Sequence, residues 1–311
     1  MKKHVMIATL AVLSTSAFAS KARMEALGQN SDTGSHYIQD TRNVFKNPAA
    51  VNHMNNYVTF EWGETSNSPS FKDDSGTDLE VDTYTTDKRP EGGFFRKGGA
   101  FAYGVYLNSN VRSQNETMIE NNSTFLTEDN RVDLFIAGEA GVKWGVRAHF
   151  SSNKDEREEV TLSSTTDNST RSTTYTDVKE RTHKTMGLAL GIESGAMSAY
   201  VNADLKNEAE NALDSTGSFT DGATPTAVKG AKWEGDLGLQ VGASYKMNDM
   251  TFFGEYEKSG ADYTSEKGPN NKTTLTNTTM RVGMGKIHKV SESASVMMDV
   301  SFVSSKEEEK E

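Results

Sequence analysis

The stretch Val142-Lys143-Trp144-Gly145-Val146-Arg147-Ala148-His149-Phe150-Ser151 decides the fold. Val142, Trp144, Val146, Ala148 and Phe150 alternate with Lys143, Gly145, Arg147 and His149. A period of two becomes one apolar and one polar face only in an extended strand. Residues 131–140 repeat the pattern, setting Val132, Leu134 and Ile136 against Arg131, Asp133 and Glu139. A turn at Gly141 joins the two segments as a hairpin.

The same grammar continues in both directions. Upstream lie Val58, Phe60 and Trp62, then residues 92–97 paired through Gly98-Gly99 with Phe101, Tyr103, Val105 and Leu107. Downstream, apolar alternates run through 185–193, 197–205, 233–246, 250–257, 279–284 and 294–303. Connections alternate in length. Short turns near Gly98, Gly141, Gly195 and Asn248 are interleaved with long polar stretches at 64–89, 109–130, 152–180, 206–232 and 259–272. A soluble β-sandwich would also alternate, but it does not require this rhythm; a transmembrane barrel does. Lipid cannot satisfy the backbone groups of an open edge, so a spanning sheet has to close. The expectation is an all-β, antiparallel transmembrane β-barrel of about 12–14 strands, with a short N-terminal plug-like segment and long extracellular loops. About eleven strands are visible, and single-chain bacterial barrels carry even numbers. Either a strand lies near residues 35–39, or the sequence stops before its final strands. Trp62, Tyr103, Trp233 and Tyr256 sit at strand ends, as residues of interfacial aromatic girdles do.

The N-terminus points to export. Lys2, Lys3 and His4 precede an apolar run at 5–13, and Ala17-Phe18-Ala19 offers a small-x-small cleavage site. The run is well short of the roughly 20 residues of a spanning helix. The expected organisation is a signal peptide at 1–19, a periplasmic or plug segment at 20–55 and a barrel at 56–311. The 311 residues contain no cysteine, which excludes disulfides and thiolate metal sites. A net charge of −11 argues against general nucleic-acid binding. With 34% hydrophobic residues and a mean hydropathy of −0.64, composition fits a barrel as well as a soluble protein, because only alternate strand residues meet lipid.

The segment ahead of the first strand carries Arg23-Met24-Glu25-Ala26-Leu27-Gly28, Ile38-Gln39-Asp40 and Asn43-Val44-Phe45-Lys46-Asn47-Pro48-Ala49. It resembles the N-terminal plug region of the long-chain fatty-acid-transporter superfamily of outer-membrane barrels. The order that follows, with Glu-Trp-Gly at 61–63, Glu-Gly-Gly-Phe at 91–94 and Val-Asp-Leu-Phe-Ile at 132–136, is similar to the porin-like major outer-membrane proteins of Bdellovibrio-type predatory bacteria. The resemblance implies that Asp40, Asn43, Asn47 and Pro48 form a plug motif; the simpler reading is that Asn47-Pro48-Ala49 caps a short helix and turns the chain into the wall.

If the apolar alternates face lipid, the lumen receives Arg131, Lys143, Arg147, His149 and Arg281, and also Asp204, Asp236, Glu255, Glu257 and Asp299. Basic groups gather on the 131–149 hairpin and acidic ones on strands from 198 to 257, so opposed walls could set up a transverse field. Charged walls are how pores select. The alternative is a lumen filled with paired charges. Small inward residues, among them Gly145, Gly187, Gly191, Gly242 and Gly283, imply free volume. The expected function is passive diffusion of ions and small hydrophilic solutes through the outer membrane of a Gram-negative-type cell. Transport of hydrophobic ligands and a non-conducting structural or adhesion role are the alternatives. Expected partners are outer-membrane lipids and lipopolysaccharide, the barrel-assembly machinery and small hydrophilic solutes, with an oligomer left open. No cofactor or metal is expected. No enzyme is expected either: His149 and His183 flank a long loop without a nucleophile motif.

Overall fold

Alternation sustained over so many segments leaves the chain one way to satisfy its backbone, strand beside strand. The computed structural model describes residues 7–13, 20–54, 56–61, 71–72, 78–79, 90–111, 125–126, 128, 130–156, 178–213, 231–264, 272–291 and 295–310. The strands are β1 (Ile7–Leu13), β2 (Tyr57–Glu61), β3 (Phe71–Lys72), β4 (Asp78–Leu79), β5 (Glu91–Gly98), β6 (Phe101–Leu107), β7 (Val132–Ala140) and β8 (Val142–Glu156), followed by β9 (Val178–Ser194), β10 (Met197–Leu213), β11 (Lys232–Gly235), β12 (Gly238–Met247), β13 (Met250–Thr264), β14 (Lys272–Lys289) and β15 (Ser295–Lys310). Apart from the small β3–β4 pair they form one sheet, in the order β1-β15-β14-β13-β11-β10-β9-β8-β7-β6-β5-β2, with β12 also between β10 and β13. All ladders are antiparallel. Since β11 and β12 continue one another, the sheet has twelve antiparallel strands. The hairpin turning at Gly141 is β7–β8, with Ala140 opposite Val142 and Val132 opposite Phe150.

Short turns collect at one end of the wall, where Gly99, Gly141, Gly195 and Asn248 all take positive φ. The outward faces carry the apolar alternates: Leu134, Ile136, Met186, Leu188, Leu190 and Ile192 are 44–56% exposed. Large apolar side chains left exposed in continuous rows are what lipid covers and water does not.

The strands of the second half outrun the expected boundaries. β10 continues to Leu213 and β13 to Thr264, which shortens the connections expected at 206–232 and 259–272. Residues 35–39 form no strand. They lie inside the wall, and β1 takes the place beside β15, with Ile7 opposite Ser301 and Leu13 opposite Ser295. Eleven strands from β2 to β15 leave the first and last running the same way, so an antiparallel neighbour for β15 has to come from elsewhere. Here it is the apolar run of the expected signal. The hydrogen-bonded order ends at β1 on one side and β2 on the other.

Two bulges break the period of two. On β10 the register shifts between Asp204 and Lys206. Alongside, Gly235 pairs with Ala261 and Leu239 with Lys258, so Asp236 and Leu237 form the extra step between β11 and β12. Beyond these steps the inward set changes parity, from Tyr200, Asn202 and Asp204 to Asn207, Ala209 and Asn211. One inserted residue flips every later side chain to the other face. Two expectations fall with it. Asp236 sits exposed in the bulge instead of pointing into the lumen, and Trp233 is 2% exposed inside the barrel instead of joining a lipid-facing girdle. Trp62 lies outside the described residues.

Candidate functional site

The lumen is occupied. Residues 20–54 run inside the wall as helix α1 (Ser20–Ala26), an irregular stretch, the single turn α2 (Asn43–Lys46) and a 3-10 turn, Pro48–His53. Val44, Phe45, Val51 and Met54 pack on Phe95, Ala102, Tyr106, Phe135 and Ala137 of β5–β7. Phe45 meets Tyr106 edge-on at 4.9 Å and Phe135 at 5.8 Å. Met24, Leu27 and Ile38 form a second contact with Met297.

Each residue of the expected plug motif has a definite task. Asp40 accepts from Arg23 at 2.7 Å, from the backbone N–H of Arg42 at 3.0 Å and from Ser20 Oγ. Asn43 bridges within the plug, accepting from Ser35 N and donating to Ile38 O at 2.8 Å. Asn47 bonds in two directions. Its Oδ1 caps the 3-10 turn by accepting from Ala49 N, while Nδ2 reaches the wall at Ser198 Oγ (2.8 Å) and Ile192 O (3.3 Å). Pro48 opens that turn and lays its carbonyl against Gly145.

The small inward residues therefore do not leave volume; they are sockets. A methyl group at Gly145 would overlap the Pro48 carbonyl, and one at Gly191 would overlap Asn47 Oδ1. Gly187 receives the ring of His149, Gly242 that of Tyr200 and Gly283 that of Phe253.

Nor do the charges face each other across an open bore. Arg131, just ahead of β7, pairs with Asp133 at 3.3 Å and with Glu128 at 3.1 Å. Arg147 lies 3.8 Å from Asp133 and donates from Nη1 to Phe45 O at 2.9 Å, tying wall to plug. His149 is 3.6 Å from Asp204. His183 sits 3.2 Å from Asn207 Oδ1. Buried ionic groups require partners, and here the nearest strands supply them in place of the opposite wall. Lys143 lies at the turn end beside Glu139, its register partner.

A second ionic centre joins plug and wall at Glu255. Its carboxylate lies 3.3 Å from His36 Nε2, 3.6 Å from Lys46 Nζ, and accepts the Tyr200 hydroxyl. His36 stacks on Phe253 at 4.6 Å with the rings nearly parallel. Burial, reinforced by the Lys46 cation, lowers the His36 pKa to about 4. Burial also lowers the pKa of Lys46, against the pull of Glu255; Arg281 lowers it and Glu257 raises it through space. Thus Glu255, expected in the lumen, helps to hold the plug, while Arg281, its register partner on β14, opposes the Lys46 charge.

Five participants lie outside the expected set: Arg42, Lys21, Glu91, Lys46 and His36. Arg42, 1% exposed, donates to Glu91 (2.8 Å) and the Tyr106 hydroxyl (2.9 Å) and covers the Phe45 ring at 4.5 Å. Lys21 completes that group, 2.9 Å from Glu91. Lys46 and His36 lie in aperiodic sequence, where no pattern marks a side chain as inward. Glu91 opens β5 and could have been found only by extending the alternation of Gly93 and Phe95 one step outward.

Below the plug, towards the short turns, a cavity of about 970 Å³ is lined by Arg23, Asp40, Lys46, Lys143, Glu193 and Lys246 among others. At the loop end Phe125, Trp233 and Tyr263 cluster over Ala209, Ala231 and Ala261. Between them lie the plug and the ionic groups centred on Asp133, Glu255 and Glu91.

An antiparallel wall, apolar outside, charged inside and filled by its own N-terminal segment, defines an outer-membrane-type β-barrel. No family model and no curated relative matches the sequence. Among solved structures, the loop L8 deletion mutant of OmpT, an outer membrane protein of Vibrio cholerae, is 12% identical over 80% of this chain and 74% of its own, with a TM-score of 0.34. The toluene transporter TbuX of Ralstonia pickettii is 11% identical over 85% of this chain and 93% of its own, with a TM-score of 0.35.

Proposed function

We propose that this protein is an outer-membrane channel for small hydrophilic solutes, shut by residues 20–54 and opened when that segment moves. The short turns lie on the periplasmic side, and the chain arrives there after export and insertion by the barrel-assembly machinery; cleavage following Ala19 would take β1 with it and leave β15 at the edge of an eleven-stranded sheet. The carrying observation is the seat of residues 42–48. The segment is bound by Arg147, Ser198 and Glu255 of the wall and pressed into sockets at Gly145 and Gly191, directly above a cavity with a charged lining. A freely open diffusion pore has no place for such a segment. Polar groups along both faces of the barrier support a hydrophilic solute, since each could replace part of its hydration.

Conductance across a planar bilayer tests the reading. The protein with residues 20–54 intact should stay closed or flicker, and the protein lacking them should give stable steps. Arg147→Glu, which loses the bond to Phe45 O and places a third carboxylate beside Asp133 and Asp204, should raise open probability and cation preference. Stable large steps in the intact protein would overturn the gate. A folded, plug-less barrel that does not conduct would overturn the channel and favour a structural role.

A second reading, transport of a hydrophobic ligand, draws on the aromatic cluster at the loop end. Quenching of Trp233 by an apolar ligand, with no conductance from the plug-less barrel, would favour it.

A further inference from the structure

The wall strands are too long for a membrane alone. A tilted spanning strand needs about 9–11 residues, whereas β9 has 17, β14 18 and β15 16. Their outward faces change character abruptly. On β9 Ile192, Leu190, Leu188 and Met186 give way to Lys184, Thr182 and Glu180; on β15 Met298, Val300 and Phe302 give way to Ser304, Lys306 and Glu308.

Just beyond the last apolar residue, outward-facing cations and carboxylates form pairs strand after strand. Lys154 meets Glu180 at 3.2 Å across β8–β9, and Lys206 meets Glu208 at 2.9 Å on β10. Lys232 meets Glu234 at 2.6 Å on β11, and Lys272 meets Asp262 at 2.7 Å across β13–β14. Lys306 pairs with Glu308 on β15. These lysines are 39–73% exposed on their side chains. Exposed ion pairs contribute little to a fold. A belt of them that stabilises little, at the level where lipid chains end, is placed for a different partner.

The geometry points to a binding surface for phosphate-bearing lipid headgroups around the loop-end rim of the barrel, with the lysines of the belt taking the phosphates and the adjoining carboxylates holding divalent cations that bridge them. Lysine stems lie along apolar surface while the ammonium reaches the headgroup layer. Each pair opens at small cost, since the ammonium exchanges a carboxylate for a phosphate. The freed carboxylate would repel that phosphate unless a divalent cation stood between them, so the surface should work best with such ions present. The proposal depends on the chain spanning a membrane, and is independent of whether the lumen conducts.

The test titrates diphosphoryl lipid A into the folded protein in neutral detergent, in the presence of magnesium, beside the triple variant Lys206→Gln, Lys232→Gln, Lys306→Gln. A basic side chain at an anionic lipid surface contributes about a fivefold preference, so each substituted lysine should weaken the lipid contact at its own place on the rim about fivefold, and the triple variant should lose at least that much in apparent affinity. Heat-modifiable gel migration verifies that both proteins are folded. If the triple variant does not fold, the single variants Lys232→Gln and Lys306→Gln should each lose about fivefold. Dephosphorylated lipid A should bind wild type as weakly as diphosphoryl lipid A binds the variant, and a chelator should weaken the wild-type interaction. Equal affinity in wild type and variants, or for dephosphorylated lipid A, would overturn the proposal. Displacement of the lipid by inorganic phosphate at comparable concentration would overturn the lipid as the source of the phosphate.

Discussion

Asn47 shows what one side chain can do when a turn ends against a wall. It caps the 3-10 turn with its oxygen and holds Ser198 and Ile192 with its nitrogen. Asn47→Ala removes both, and a lost buried hydrogen bond costs about 1–2 kcal/mol. The plug should become cleavable by added protease several-fold faster, with the melting temperature of the barrel unmoved. Arg42 carries more. Arg42→Met leaves Glu91 buried with Lys21 as its remaining cation, a loss of roughly 3–5 kcal/mol typical of one-sided removal from a buried pair. The double change Arg42→Met, Glu91→Leu should recover most of it, as read by the same proteolysis. His36 sets the pH dependence. Its pKa is depressed from 6.5 when free to about 4 when docked, first by burial and then by Lys46. Docking therefore carries its full contribution above pH 6.5 and loses it as pH falls through 4, a swing of about 3 kcal/mol. Open probability should rise across that window in wild type and much less in His36→Gln. Of these residues Asn47 and Asp40 stand out in the sequence by resemblance. Arg42 and His36 do not, because an irregular segment has no period from which a direction can be read.

At the level of the strand, most of the wall is legible from residues alone. Alternation places Leu134, Ile136, Leu188 and Leu190 outside and Arg131, Arg147 and Asp204 inside, as found. The reading fails where period two was carried across a bulge. Nothing in Asp204-Leu205-Lys206 or Gly235-Asp236-Leu237 announces an extra residue, since either parity leaves polar groups available for both faces. Trp233 records the failure, and its environment can be measured. Lipid carrying a bromine quencher in its chains should quench Trp144, on the outward face, and leave Trp233 largely unquenched. Deleting Leu205 should remove the bulge on β10 and keep Asn207, Ala209 and Asn211 inside, but it leaves the companion step at Asp236 and Leu237 unmatched across the β10–β11 ladder. The yield of heat-modifiable folded protein should fall sharply. The lumen was misjudged for a related reason. Glycine on an inward face reads as space, but whether it is space or a socket depends on what the rest of the chain inserts there.

On the scale of the whole molecule, the barrel is a wall built around a piece of its own chain. Expected export can be checked at the same time as assembly by N-terminal sequencing of protein from isolated outer membranes: a start at Ser20 agrees with the expected cleavage and removes β1 from beside β15, whereas a chain retaining Ile7–Leu13 keeps the twelve-stranded sheet. The fold class follows from sequence because a lipid-facing sheet needs a repetitive pattern. The seating of residues 20–54 inside the wall does not, because it arises from single contacts at separate places, none of which repeats. The glycine sockets have one more consequence. At Gly145 and Gly191 the wall has only backbone on its inner surface, and the plug is what keeps water from the amides on either side. When the plug leaves, neighbouring strands β8 and β9 lose their inner covering together, and hydrogen exchange there should accelerate while the lipid-backed remainder stays protected. The seam between those two strands is thus a built-in recorder of the plug's position, readable without any label.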